Sequence, residues 1–333
     1  MTAVGTERRA RRRRGPVAGA VLAAVLAAGL AAGCTASDGP GDDGRGSPRP
    51  SPTQSREPGG AKSPPALAVK IDNAPAARPQ TGLDSADVVY AEQVEGGLSR
   101  LMAVYAGKLP GSVGPVRSAR ESDLELLRQF DRPVLLFSGA QSKLLPVIDR
   151  APLEAVTPES DSAAFFRDTA RPVPHNLYAR PERVMARPPG EAALTTGFRY
   201  GRPPADGRSE SRLTVRYPAA RFTFTWSGSR DRWLVSMDGA PAVTPEGERL
   251  APATVVVQYV TVRPSGYRDF LGSNTPYTET VGSGKATVSR GGQTYEARWD
   301  RPAAADGTSF TTRGGAPLNF ARGQVWVVYA EAD

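Results

Sequence analysis

Gly114-Pro115-Val116-Arg117-Ser118-Ala119-Arg120-Glu121 is the stretch on which the fold of this chain turns. Ser118 followed three residues later by Glu121 has the spacing of a capping box, so a helix is expected to start at Ser118. Leu124, Leu127 and Phe130 would then share one face of it, with Gly114-Pro115 supplying the turn into it. Working outward, residues 66–71, 86–91 and 100–105 precede this helix as β-formers, and residues 133–138 follow it as a short apolar run ending at Gly139. Residues 144–148 suit a second, short helix. Apolar strands around helices predict an α/β (or α+β) N-terminal domain with a mixed sheet covered on both faces.

Polar residues gather at the ends of these strands, where open α/β sheets place ligands. Asp72, Asn73 and Arg78 follow the first strand, and Glu92 and Glu95 the second. Arg100 opens the third, and Pro174-His175-Asn176-Leu177-Tyr178 comes later. Arg117 and Arg120 would flank a helix N-terminus, where unpaired N–H groups favour an anion. The expected ligand-binding set is therefore Arg117, Ser118, Arg120, Arg100, Arg78, Asp72, Asn73, Asn176 and Tyr178, facing a phosphate or carboxylate. His175, Glu95 and Glu92 are the acid/base candidates. Two carboxylates could act as a glycosidase pair, but residues three apart on a strand face opposite ways unless Glu95-Gly96-Gly97 breaks it. Ser118 is expected to cap the helix rather than act as a nucleophile. With one histidine, and no phosphate loop, dinucleotide fingerprint or zinc signature, neither a metal nor a cofactor is expected.

Residues 1–34 have the form of an export signal. Arg8, Arg9 and Arg11 to Arg14 make a basic start, an Ala/Val/Leu stretch follows, and Leu30-Ala31-Ala32-Gly33-Cys34 closes it. That ending resembles a bacterial lipobox, which implies lipidation of Cys34, the only cysteine. A retained membrane helix is the alternative, and the export route, general or twin-arginine, stays open. Either way the rest of the chain is expected on the outer face of the cytoplasmic membrane. The signal also explains the charge. Removing its six arginines and one glutamate takes five from the net +8 and leaves about +3, so no nucleic-acid partner is expected. Residues 35–65, rich in Pro, Gly and Ser, are expected to be a disordered tether with a reach of about 30 Å.

The α/β domain with the candidate cleft is expected over residues 66–200 and a β-rich C-terminal domain over 201–333. Residues 213–217, 221–226 and 232–236 alternate as half-buried strands, and 254–262 is the most buried candidate, with more at 285–289, 293–299 and 324–329. Short strands between Gly/Pro turns suit a sandwich or a curled antiparallel sheet. Trp226, Trp233, Trp299 and Trp326 sit within alternating strands, so core packing accounts for them better than a sugar platform does. Gly282-Ser283-Gly284 is expected to be a turn.

Five ordered motifs carry a resemblance: Asp72-Asn73 with Ala77-Arg78-Pro79-Gln80-Thr81-Gly82-Leu83, Ala86-Asp87-Val88-Val89-Tyr90, Val94-Glu95-Gly96-Gly97-Leu98-Ser99-Arg100, Gly114 to Arg120, and Pro174 to Tyr178. With Arg298-Trp299 and Gly323-Gln324-Val325-Trp326 in the second half, the chain resembles the YerB-type bacterial lipoproteins. It departs from them at Ala91-Glu92, where the family has Glu directly after the Tyr. The resemblance implies tandem extracellular domains and brings no activity with it. The expected function is a membrane-tethered binding module for an anionic cell-wall polymer, another envelope component or a partner protein. The alternative is a cell-envelope enzyme acting on a glycan or a phosphate-bearing wall or lipid-linked substrate.

Overall fold

Leu67–Asp72 forms β1 and is buried along its whole length, although Lys70 and Asp72 are charged. This computed structural model describes residues 65–268 and 272–332. The export signal, Cys34 and the tether up to residue 64 lie outside the described residues. β2 (Val88–Gln93) and β3 (Ser99–Tyr105) follow as an antiparallel pair, and β3 also pairs antiparallel with β1. Side chains alternate along a strand, so Leu67, Val69 and Ile71 enter one core and Ala68, Lys70 and Asp72 point to the other face. That second face carries α1 (Glu121–Leu127) and α2 (Leu145–Arg150), whose Leu126, Leu127 and Ile148 pack onto it. β4 (Val134–Leu136) and β5 (Glu154–Val156) extend the sheet in parallel beyond β1.

The helix expected from Ser118 begins three residues later. Arg120 is its N-cap, and the Asp123 carboxylate accepts the Arg120 N–H at 2.7 Å. Ser118 Oγ faces Ser138 Oγ at 3.4 Å instead of capping anything. The upstream residues are held extended by tertiary hydrogen bonds: Arg117 N–H to Lys70 O, Ala119 N–H to Gly139 O, and Ser138 N–H to Arg117 O. Gly114 is likewise part of an extended strip rather than a turn, bridged to Thr81. A Cβ there would meet the Tyr178 ring at 2.7 Å, which explains the glycine.

β6 (Phe165–Arg167) and β7 (Leu177–Ala179) make a hairpin beside this strip. β8 (Arg208–Ser209), β9 (Arg212–Tyr217), β10 (Ala220–Ser227), β11 (Arg232–Met237) and β12 (Ala240–Pro241) come next. The last four form an antiparallel sheet that covers the other face of β1 to β3. β13 (Thr254–Val260) is followed by a hairpin of β14 (Val262–Arg268) and β15 (Asn274–Thr278). β16 (Gly282–Arg290), β17 (Gln293–Arg301), β18 (Ser309–Thr312) and β19 (Val325–Glu331) complete the described strands. Gly282-Ser283-Gly284 therefore opens a strand; it is not a turn.

One mixed sheet of eleven strands runs β18-β17-β16-β13-β19-β2-β3-β1-β4-β5, with β8 attached to β17. β19 lies between β13 and β2 and is parallel to both. The α/β half and the β-rich half thus share a single sheet. Trp326 and Trp233 are fully buried and Trp299 nearly so, and the Trp326 ring meets Phe222 and Phe224 edge-on.

Candidate functional site

Strand alternation brings the charges together. Lys70 and Asp72 on β1, Glu92 on β2 and Arg100 on β3 all face the α1 side, and Arg100 sits opposite both Asp72 and Glu92 in register. Lys70 has no exposed surface and donates to Glu92 and to Asp123 Oδ1, the latter at 2.6 Å. An ammonium in such a place is tolerated only when paired. Burial raises the Glu92 carboxyl to about 7, the Lys70 charge opposing and the Asp123 charge adding to the effect.

Glu95 follows where Gly96 and Gly97 break the strand, both at positive φ. Gly97 must be glycine, since a Cβ would lie 2.6 Å from Pro218. Glu95 takes a two-pronged contact from Arg120, at 2.7 and 2.8 Å, and a third from Thr275 Oγ1 at 2.7 Å. Burial works to raise its carboxyl, but the Arg120 hydrogen bonds and charge hold it down at about 2. The two glutamates among the acid/base candidates are therefore each held by a cation. A cavity of about 320 Å³ opens beside Arg120, lined also by Ser118, Gln141, Tyr267 and Arg268.

Arg100 donates to the Ser118 carbonyl at 3.3 Å, and Arg120 Nη1 reaches the same oxygen at 3.4 Å. Burial first, then the charges of Arg120 and Arg117, lower the Arg100 guanidinium to about 10 against the pull of Glu95 and Asp72. Arg117 Nε lies 3.2 Å from Asp72 Oδ2, yet no aligned hydrogen bond satisfies this buried atom.

Asp72 is the hub of the second cluster. Its Oδ1 accepts the Ala74 N–H at 3.1 Å, its N–H donates to Pro115 O at 2.9 Å, and Oδ2 contacts His175 Nδ1 at 2.8 Å. The β6–β7 hairpin delivers that histidine. Arg171 pins the hairpin to the carbonyls of Ala77 and Pro79, at 3.1 and 2.8 Å. Asn176 and Tyr178 are buried supports, Asn176 accepting from Arg167 at 2.7 Å and Tyr178 stacking on Phe166. Asn73 donates to Ser99 and accepts from Gln80, while Arg78 reaches both Asn73 and Asp238.

Sequence reasoning missed Lys70, Asp123, Gln80 and Thr275. Lys70 left one signal: a charge inside an otherwise apolar strand requires a partner. Arg117 and Arg120 do not flank an anion-binding helix start as expected, because α1 has seven residues and starts at Glu121.

Residues 52–193 match the protein of unknown function (DUF3048) N-terminal domain, and residues 213–327 its C-terminal domain. YerB of Bacillus subtilis (strain 168), provisionally named a lipoprotein, is 34% identical over 113 residues. That match spans 34% of each chain, so about a third of the relative's length. The crystal structure of YerB from Bacillus subtilis superposes with a TM-score of 0.67 at 21% identity, covering 80% of this chain and 91% of that one. The likeness extends through both halves of the fold.

Proposed function

The chain belongs to the DUF3048 family of YerB-type proteins, and on that premise we propose that it is an extracytoplasmic lipoprotein, anchored through Cys34, that recognises an anionic envelope component. The carrying observation is the convergence of Arg100 and Arg120 on the Ser118 carbonyl, with the neighbouring Arg117 lying against Asp72. Glu95 neutralises Arg120, but among the described residues Arg100 donates only to a backbone oxygen and the buried Arg117 Nε makes no hydrogen bond. Guanidinium groups left in this state fit the fork geometry of phosphate or carboxylate. Among the described residues no helix is long and apolar enough to cross a membrane.

The test is equilibrium binding of pyrophosphate and of poly(glycerol phosphate) to the full chain in detergent micelles. Arg117→Ala is expected to weaken both by about tenfold or more, as loss of a charged hydrogen bond does. Arg313→Ala, at an exposed arginine paired with Glu296, is expected to leave binding unchanged. Equal affinity in wild type and Arg117→Ala would refute the reading.

A further inference from the structure

We propose that Asp72 and His175 form an acid/base dyad that makes the anion site a phosphodiester-hydrolysing centre. The inference rests on the anion-recognition reading of the same residues and adds chemistry to it. An ionised Asp72 only accepts, so its contact with His175 Nδ1 requires the proton on Nδ1. In that tautomer of a neutral imidazole, Nε2 carries the lone pair. No hydrogen bond to it is found among the described residues, and the His175 side chain keeps 19% of its surface exposed.

The dyad is rigidly built. Asp72 is 4% exposed and is held through Oδ1, its N–H and its carbonyl, the last accepting from Gln80. The His175 N–H donates to Pro172 O, and Arg171 clamps the hairpin below it. Such fixed orientation of an imidazole by a carboxylate is what general base catalysis needs. It also distinguishes this histidine from one that merely fills space, whose second nitrogen would be buried or bonded.

The substrate class follows from the neighbours. Arg117 approaches the same Asp72 oxygen to 3.2 Å, so a guanidinium sits beside the imidazole, with Arg100 behind the Ser118 carbonyl. A phosphodiester offers both a negative charge to these arginines and a phosphorus for base-activated water to attack; a simple carboxylate offers only the first. In the reaction, Nε2 accepts a proton from a water molecule as the water oxygen bonds to phosphorus. The P–O bond to the leaving alcohol breaks, that oxygen takes a proton from solvent, and His175 returns its proton to solvent. One diester and one water give one phosphomonoester and one alcohol. The Arg117 and Arg100 charges face the developing charge on the non-bridging oxygens.

The experiment uses the full chain in detergent micelles with two probes, bis(p-nitrophenyl) phosphate and poly(glycerol phosphate). Release of nitrophenolate and appearance of monoester phosphorus resonances are expected. His175→Ala should lower the rate by about 100-fold or more, and added imidazole should restore part of it. Asp72→Asn, a positioning change, should lower kcat and alter the pH–rate profile. Pyrophosphate binding, measured on the same samples, should persist in His175→Ala. No turnover of either probe, or a wild-type rate in His175→Ala, overturns the dyad. Retained pyrophosphate binding in that case leaves the recognition reading standing, whereas absent binding in the wild type sinks both. Cleavage of p-nitrophenyl acetate without cleavage of a diester also overturns the proposal.

Discussion

Glu92 shows how one buried residue sets a pH response. Lys70, Asp123, Arg120, Tyr217 and Tyr329 surround it from β1, α1, β9 and β19, and Arg100 lies opposite it on β3. Its carboxyl stays protonated in the folded chain up to about 7, against an ordinary value of 4.5. Between those values the folded state holds more protons than the unfolded one, so this group's contribution to stability falls as pH rises. Glu92→Gln removes that slope. Urea midpoints measured from pH 4.5 to 7 should show the wild type losing ground to the variant, and parallel curves would refute the assignment. At this scale the sequence exposed residue types well but not pairings. Glu92 and Glu95 look alike in a strand ending; only the alternation of β2 and the Gly96-Gly97 break send one to Lys70 and the other to Arg120.

Among the elements, α1 separates local from tertiary control. Ser118 and Glu121 satisfy the capping-box spacing, but so do Arg120 and Asp123 in part, and the second pair prevails. Three tertiary hydrogen bonds hold residues 117–119 extended against β1 and the strand after α1, which withholds helical dihedrals from Ser118. Ser118→Ala should therefore cost less than about 0.5 kcal/mol, where a true cap would cost about 1. Asp123→Ala, which loses both the cap and a Lys70 contact, should cost about 3 kcal/mol or more. Thermal or urea unfolding of the two variants decides it; equal losses would restore the sequence-based start. The strands were far more legible, because β1, β3, β10 and β17 carry their burial in their own alternation or apolar runs.

Across the whole molecule, the C-terminal strand binds the two halves. β19 is buried over its first five residues and pairs with β2 on one side and β13 on the other. Gln324 adds contacts to the carbonyls of Leu83 and Ala86. From the other half, Arg301 is fully buried and donates to the Glu125 and Leu126 carbonyls of α1. Deleting residues 323–333 opens the edge of β2 and uncovers Trp326's partners Phe222 and Phe224. The truncated chain should lose cooperative unfolding in both halves, while the intact chain should show one transition by circular dichroism and by tryptophan fluorescence. Separate transitions in the intact chain would mean two independent domains.

The sequence by itself determined the α/β-then-β order, the longer strands of both halves, the burial of Trp233, Trp299 and Trp326, and the residue types of the site. Those follow from periodicity and composition, which act over a few neighbours in the chain. Only the tertiary structure decided that Asp72 meets His175 across 103 positions, that Lys70 donates to both Glu92 and Asp123, and that β19 closes one sheet from two halves. A buried charge or an open sheet edge needs a partner, but any complementary group can supply it. Which one does is fixed by strand order and register, and those depend on contacts far apart in the chain.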